Sequence, residues 1–202
     1  AVQTVHDRLG ANAVPLQIPI GAESSFTGMI DLIERKAFIY ETEDAVQHKE
    51  TDIPDEFKED VEKYRNELIE KIAETDEDLM DKFFDDQELT VEELKKALRK
   101  AVLNLEIFPV LCGSALRHRG VHPLLDAVID YLPSPIDVPS IKGTDVSDDS
   151  VDIERKPDSS EPLSALVFKV VTDQHVGRLV YLRICSGILE SGANVYNAST
   201  RS

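Results

Sequence analysis

The sequence predicts an α/β fold, made of strands and a helical layer, that is followed by the start of an antiparallel β-barrel. Short β-rich runs near the beginning and three amphipathic helical segments after them predict the first part. A strand, a small-residue turn and a helix then form a βα unit over residues 106–132. From Leu163, β-rich runs alternate with glycine-containing turns, as at the beginning of a barrel.

The first residues predict the end of a helix and then a half-buried strand. Gly10 follows an apolar periodicity and is placed as a C-cap. Residues 13–20 alternate apolar and less apolar side chains, and Pro15 and Pro19 restrict this strand to an edge. After "GAESSFTG", residues 29–40 are predicted to continue as strands that pair across this glycine-containing turn, although the run "IDLIER" alone is also compatible with a helix.

Three helices are predicted next, over residues 55–74, 76–84 and 90–104. In the last one, Thr90 and Glu93 have the spacing of a capping box. We expect the apolar stripes of the three helices to pack against the strands. The stripes are Phe57, Val61, Tyr64, Leu68 and Ile72; then Leu79, Met80, Phe83 and Phe84; and then Leu94, Ala97, Leu98, Ala101 and Val102.

The second half of the chain predicts two kinds of structure. Residues 106–112 are expected to be a buried strand, and residues 142–162 are polar and aperiodic, as in a linker. Beyond Leu163, the runs "LSALVFKVV", "RLVYLRIC" and "ANVYN" predict strands. The intervening helix, residues 121–132, is expected to bury Val121, Leu124, Leu125, Val128, Ile129 and Leu132.

The chain is strongly acidic, with 39 Asp and Glu, 22 Lys and Arg, and a net charge of −17. Residues 41–90 hold 20 acidic and 6 basic residues, so this segment contributes 20 − 6 = 14 negative charges. The charge argues against a free-standing nucleic-acid binder, because phosphate neutralisation needs clustered Lys and Arg. The acidic segment is either a solvated helical face or a surface that attracts a basic partner.

Cys112 and Cys185 lie in apolar runs, which favours free thiols in a reducing, cytoplasmic compartment. We expect no metal site and no catalytic residue in this chain. His118 and His122 are four residues apart, but Gly120 breaks the helix that would align them. The sequence has neither a calcium loop nor a Ser-His-Asp or Cys-His nucleophile arrangement, and no run of apolar residues suggests a membrane span.

Three long segments occur in a characteristic order along the chain. They are "VPLQIPIGAESSFTGMIDLI", then, after acidic helices, "VLCGSALRHRGVHPLLDAVIDYLPSPIDVP", and then "LSALVFKVVTDQHVGRLVYLRICSGILESGANVYN". In these segments the chain resembles bacterial elongation factor G, the ribosomal translocase GTPase. This resemblance implies the following organisation. Residues 1–12 end a GTPase-domain helix, 13–106 are an acidic insert, 107–140 are the last strand and helix of a P-loop GTPase domain, 141–162 are a linker, and 163–202 begin the β-barrel domain II.

The resemblance places Ser114, Ala115 and Leu116 in the guanine-reading motif of the family. There the alanine N–H donates to guanine O6, and the serine supports the loop. Many GTPases have lysine after the alanine, so Leu116 implies no charged contact at that position. Arg117, His118 and Arg119 are expected at the loop edge, either facing ribosomal RNA or as solvated charge.

The resemblance also implies what other segments must supply. The sequence has no G-x-x-x-x-G-K-[ST], D-x-x-G or N-K-x-D element, so GTP or GDP with Mg²⁺ is expected only in a full-length parent. The chain alone is expected to be inactive as a GTP hydrolase and to bind no cofactor. A recycling-specialised paralogue of the factor is an alternative that the sequence leaves open.

In this family the insert contacts the carboxy-terminal domain of the ribosomal stalk protein. The resemblance therefore offers an alternative role, a stalk-docking module without enzymatic activity. The candidate contacts lie on the first predicted acidic helix and are Glu59, Glu62, Glu67, Glu70 and Glu74. The strands after Leu163 are expected to present open edges through which the chain self-associates.

Overall fold

A computed structural model describes residues 2–42, 47–85, 87–146, 148 and 150–201. The chain forms two compact units, an N-terminal unit of Ala1–Leu132 and a C-terminal unit of Pro133–Ser202. The N-terminal unit starts with helix α1, Val2–Leu9. As predicted, this helix ends at Gly10, which has a φ of +61° and donates its N–H to the His6 carbonyl over 3.0 Å.

Two short strands that lie far apart in the sequence pair in parallel. Strand β1 is Ala13–Pro15, and strand β6 is Phe108–Val110. Val14 lies opposite Pro109, and Pro15 lies opposite Val110. Both prolines are therefore in a two-stranded sheet, in which each strand is an edge strand. The backbone extends this pairing, because Leu16 N–H donates to the Val110 carbonyl over 2.9 Å.

A four-stranded antiparallel sheet fills the interval between β1 and the helices. Its strands, in spatial and chain order, are β2 (Gln17–Ile20), β3 (Gly28–Asp31), β4 (Lys36–Ile39) and β5 (Lys49–Thr51). The expected edge position is confirmed for β2. The run "IDLIER" ends β3 and forms the β3–β4 turn, where Asp31 Oδ1 accepts the N–H groups of Ile33 and Glu34 at 2.9 and 2.8 Å.

The three predicted helices are confirmed as α2 (Lys58–Ala73), α3 (Glu77–Phe84) and α4 (Val91–Leu103). Thr90 caps α4, because its hydroxyl accepts the Glu93 N–H while the Glu93 carboxylate accepts the Thr90 N–H. The helices pack on the sheet through one apolar core, which contains Val14, Ile30, Leu32, Val61, Leu68, Ile72, Leu79, Leu94, Leu98 and Ile107.

The structure corrects two positions on these stripes. Tyr64 is 37% exposed, whereas Arg65 is 6% exposed. Both residues lie three or four positions from Val61 and Leu68, so helical spacing admits either of them to the buried face. The Arg65 guanidinium is buried because it donates to the carbonyls of Leu32 and Ile33 in the β3–β4 turn. The last aromatic of α3, Phe84, is 75% exposed instead of buried.

The βα unit has the predicted elements but not the predicted burial. Helix α5 is Val121–Tyr131, and Phe108 at the start of β6 is 41% exposed. Helix α4 contacts α5, and Arg99 of α4 donates to the Asp130 carbonyl over 2.7 Å. Elsewhere on α5, no element among the described residues covers the apolar stripe. The exposed residues are Leu124, Leu125, Val128, Ile129 and Leu132.

The C-terminal unit contains two hairpins. Strands β7 (Ile141–Thr144) and β8 (Asp152–Arg155) pair antiparallel within the predicted linker, although its sequence shows no periodicity. The local turn explains the hairpin, because Asp145 N–H donates to the Val151 carbonyl over 2.9 Å, and Asp148 Oδ1 accepts the Ser150 N–H at the same distance. Such side-chain turns leave no periodic apolar pattern in the sequence.

The second hairpin consists of β9 (Ser164–Asp173) and β10 (Gly177–Ser186). Asp173 Oδ1 accepts the N–H groups of His175 and Val176 in its turn, which fits the predicted break in the β-rich sequence. Residues 193–197, the run "ANVYN", are not a strand, which corrects that prediction. None of the helices in the described ranges has the length and apolar character that crossing a membrane would require.

Candidate functional site

The loop after β6 is closed by its own backbone. Ser114 and Arg119 form an isolated antiparallel bridge, in which the Ser114 N–H donates to the Arg119 carbonyl over 2.9 Å and the Arg119 N–H donates back over 3.0 Å. Between them, His118 has a φ of +54° and donates its N–H to the Ala115 carbonyl over 3.2 Å. The loop is therefore a tight hairpin turn with Ala115 and Leu116 in its tip.

Glycines at both ends permit this closure. A Cβ at Gly113 would lie 2.7 Å from the Arg119 carbonyl oxygen. Gly120 has a φ of +81°, and a Cβ there would lie 2.8 Å from the Cys112 carbonyl oxygen. Side chains at these positions would force the backbone apart, since such approaches are shorter than van der Waals contact.

The structure places the three predicted guanine-reading residues together at the solvent side of this loop. Ser114 is half-buried, Ala115 is exposed, and Leu116 is 92% exposed. Within the described ranges, no protein acceptor takes the Ala115 N–H, whereas the Ser114 N–H is used inside the loop. A backbone donor in a fixed, exposed turn can serve an acceptor on a ligand, because it loses no protein partner when the ligand binds.

The basic cluster is not uniformly at the loop edge, and the expectation for Arg119 is wrong. Arg119 is 4% exposed, and its guanidinium donates to the Phe26 carbonyl and, over 3.1 Å, to the Thr42 carbonyl. It also lies 5.9 Å from the centre of the Tyr40 ring. His118 is exposed, as expected, and Arg117 is half-buried. Arg119 is buried because carbonyl oxygens and an aromatic face replace its water.

Tyr40 was not a predicted site residue, yet it holds the end of the loop. Its side chain is buried, and its hydroxyl accepts the Gly120 N–H over 2.7 Å. Phe26 and Met29 pack around Tyr40, and Cys112 adjoins this cluster. Burial raises the pKa of Cys112 to about 11, so its thiol is protonated at neutral pH and suits the expected structural role.

The five candidate glutamates, four on α2 and Glu74 directly after it, are all exposed, but they differ in their partners. Glu62 forms an ion pair with Arg35, and Glu74 pairs with Lys71 over 2.8 Å. Glu59, Glu67 and Glu70 form no ion pair with any residue that the structure describes. These three carboxylates are therefore the ones that retain unneutralised charge toward solvent.

A cavity of about 340 Å³ lies in the N-terminal unit but does not involve the loop residues 113–120. Its lining contains two ion pairs and three further acidic residues, Asp31, Asp126 and Asp130. Lys36 pairs with Glu50 over 2.7 Å, and Lys95 pairs with Glu34 over 2.5 Å. Over the described part of the chain, no three His, Cys, Asp or Glu side chains are grouped to hold a metal ion.

Comparison with known proteins assigns the C-terminal segment. Residues 162–202 match the family described as Elongation factor G domain 2. This segment is similar to elongation factor G. The β9–β10 hairpin lies inside the matched segment, and the predicted resemblance to elongation factor G is confirmed. The fold as a whole is mixed α/β with several antiparallel sheets, as expected for such a chain.

A solved structure extends the similarity over the rest of the chain. It is a crystal structure of a protein from Thermus thermophilus, which is 32% identical and superimposes with a TM-score of 0.70. The match covers 95% of this chain but 26% of that protein. The chain thus spans about a quarter of the length of the protein that it matches.

Proposed function

We propose that this chain is part of an elongation factor G that couples GTP binding and hydrolysis to ribosomal translocation of tRNA and mRNA. The observation that carries the proposal is the loop of residues 113–120, in which Ala115 is exposed and its N–H has no protein acceptor among the described residues. The family of residues 162–202 supports the same assignment. The factor would act in the cytoplasm, on the ribosome.

In this proposal, the Ala115 N–H donates to guanine O6. Adenine has an amino donor at the corresponding position, so the same N–H would face a second donor and lose its hydrogen bond. An unpaired buried donor costs about 1–3 kcal/mol, which corresponds to roughly five- to 150-fold in affinity. Ser114 supports the loop by its bridge to Arg119. Leu116 adds no charge, and its exposed side chain is free to lie beside the base.

The arrangement of the βα unit supports its assignment to the last strand and helix of a P-loop GTPase domain. Strand β6 is parallel to β1, and α5 follows the loop directly, so the loop lies beyond the carboxyl end of a parallel strand. Ligands bind at this edge in open α/β sheets. Under the proposal, the sheet β2–β5 and helices α2–α4 form an insert in that domain, and residues 163–202 begin a β-barrel domain II.

Phosphate and Mg²⁺ chemistry would come from segments outside this chain. The sequence has none of the phosphate-loop, switch or N-K-x-D motifs, and the described residues include no cluster of three side chains that could hold a metal ion. One hydrogen bond cannot reach the roughly 8 kcal/mol that micromolar affinity needs. The chain alone is therefore proposed neither to hydrolyse GTP nor to bind it measurably.

The test uses the full-length factor and two ligands, GDP and its 2-aminopurine analogue, which lacks O6. The wild-type protein should bind GDP roughly five- to 150-fold more tightly, as measured by competition against radiolabelled GDP in a filter assay. Val176→Ala, at a residue of the β9–β10 turn that is 70% exposed, should keep this ratio as a control. Equal affinities for GDP and the analogue would refute guanine reading, and saturable GDP binding to the isolated chain at low micromolar concentration would refute its proposed dependence on other segments.

For the partner, we propose that the exposed acidic face of α2 contacts the carboxy-terminal domain of the ribosomal stalk protein. Glu59, Glu67 and Glu70 carry the proposal, because their charge is not neutralised by ion pairs in the described parts of the chain. Opposite charge on a partner would mainly speed the encounter, and salt would screen this attraction.

An amide-shift titration of the isotope-labelled chain with this stalk domain tests the contact. Shifts should cluster on α2 and should weaken at high salt. A variant with Glu59→Gln, Glu67→Gln and Glu70→Gln should lose them, whereas the charge-matched control with Asp152→Asn, Glu154→Gln and Glu190→Gln should keep them. If the triple α2 variant binds as the wild type does, the acidic face is only a solvated surface.

A further inference from the structure

We infer that Tyr40 and Arg119 are positioning residues of the guanine-reading loop, which fix it to the four-stranded sheet and thereby set its selectivity. The inference rests on the proposed function, because it concerns how the same loop holds its Ala115 N–H. It assigns no contact with nucleotide to either side chain. Both act through the backbone of the loop.

Arg119 joins the loop to the sheet because it belongs to both. Its backbone makes the two hydrogen bonds of the bridge to Ser114. Its guanidinium donates to the Phe26 carbonyl between β2 and β3 and to the Thr42 carbonyl after β4. The residue is 93 positions from Phe26 and 77 from Thr42, so these contacts tie together distant parts of the chain.

Tyr40 holds the opposite end of the turn. Its hydroxyl accepts the N–H of Gly120, the residue at which the loop passes into helix α5. The hydrogen bond is 2.7 Å long and buried, and Tyr40 is only 3% exposed. Since Gly120 is buried, loss of the hydroxyl would leave a buried backbone N–H without an acceptor.

The two contacts bury one side of the loop and leave its tip exposed. Arg119 and Gly120 are buried, whereas Ala115 and Leu116 are exposed. The tip therefore takes its position from the bridge and from the sheet behind it. A small displacement of the bridge would misalign the Ala115 N–H with O6, but it would leave phosphate contacts made elsewhere in the factor unchanged. Such a displacement should therefore change the preference for guanine over other bases more than it changes the overall affinity for nucleotide.

The first experiment replaces Tyr40 by Phe in the full-length factor, which removes one hydroxyl and keeps the ring. Affinities for GDP and for its 2-aminopurine analogue, which lacks O6, are compared. We expect GDP affinity to fall about fivefold, the factor that corresponds to one hydrogen bond of about 1 kcal/mol, while analogue affinity stays unchanged. Tyr181→Phe, at a residue that is 46% exposed, is the matched control and should change neither affinity.

A second variant, Arg119→Lys, keeps the charge but cannot span two carbonyls with one planar fork. It should reduce the preference for GDP over the analogue at least as much as Tyr40→Phe does. Thermal unfolding of each variant identifies any loss of folded protein. An unchanged preference in both folded variants would overturn the inference, as would an equal fall in both affinities, which indicates general destabilisation. A wild-type factor without guanine preference would instead overturn the proposed function, and the inference with it.

Discussion

The two units of the chain bury apolar surface very differently. In the N-terminal unit, buried apolar residues extend from Ala13 to Tyr131 and form a core between the sheet and the helices. Among residues 133–146, 148 and 150–201 of the C-terminal unit, Ser186 alone is buried. The β9–β10 hairpin nevertheless contains Phe168, which is 63% exposed, and Tyr181, which is 46% exposed.

The difference shows that apolar composition and burial are separate properties of a segment. In the hairpin, the backbone ladder and the Asp173 turn organise the strands, while apolar side chains on both faces remain accessible. In the N-terminal unit, the helices bury their stripes against the sheet. Hydrophobic stabilisation should therefore be concentrated in the first unit, because it scales with the apolar area removed from water.

The largest predicted effect tests whether hydrophobic stabilisation is concentrated in the N-terminal unit. Leu98→Ala, at a fully buried position in α4, should destabilise the N-terminal unit by about 3 kcal/mol, through lost burial and a residual cavity. Leu166→Ala, on the exposed β9, should cost less than about 0.5 kcal/mol. Hydrogen exchange in increasing urea resolves the two units by peptide. Equal costs for the two substitutions would break the comparison.

The next effect comes from a polar contact within the core. Arg65→Ala should destabilise the N-terminal unit by about 2 kcal/mol, because the carbonyls of Leu32 and Ile33 lose a charged donor. Lys63→Ala on the exposed side of α2 is the control and should change stability by less than about 0.5 kcal/mol. The same exchange measurement applies. If Arg65→Ala reduced the exchange protection of α2 alone and left the β3–β4 turn unaffected, this role for Arg65 would be contradicted.

The smallest effect concerns the cap of α4. Thr90→Ala should cost about 1 kcal/mol, since the hydroxyl satisfies a free N–H at the start of the helix. The hydrogen bonds of Glu93 with Lys82 and Thr90 lower its pKa from 4.5 to about 2. Its stabilising contribution is therefore complete above pH 4.5 and disappears as the pH falls through about 2.

Urea unfolding at a series of pH values measures this dependence. Glu93→Gln should reduce the slope of stability against pH between 4.5 and 2, because the variant carries no carboxylate at this cap. Glu92→Gln, at the exposed neighbouring position, should leave most of that slope in place. A Glu93→Gln variant with the wild-type slope would show that other carboxylates control the acid response.

Features encoded by neighbouring residues were predictable from the sequence. The capping box of Thr90 and Glu93 and the C-cap at Gly10 depend on contacts within four residues. Spacing could not decide between Tyr64 and Arg65, because the acceptors of Arg65 lie 32 and 33 residues away. The β7–β8 hairpin was missed for a different reason, since its strands are exposed and show no apolar alternation.

The candidate site shows the same division between local and distant information. Ser114, Ala115 and Leu116 were found by resemblance to a motif of adjacent residues. Tyr40 and the burial of Arg119 were not found, because their contacts join residues 77 to 93 positions apart and a charged residue after a turn predicts solvent exposure. A glycine directly after an arginine in a tight loop was the one available signal of close packing.

The parallel pairing of β1 with β6 limits how this architecture can be shortened in evolution or by design. Parallel neighbours need a crossover of about a dozen residues or more, and α4 runs directly into β6. Helix α4 thus both leads the chain back to β6 and contributes to the core between the sheet β2–β5 and the helices. A shortened chain without the sheet β2–β5, α2 and α3 would therefore have to keep α4. Leu94 and Leu98 of α4 would then be exposed and would have to be replaced by polar residues.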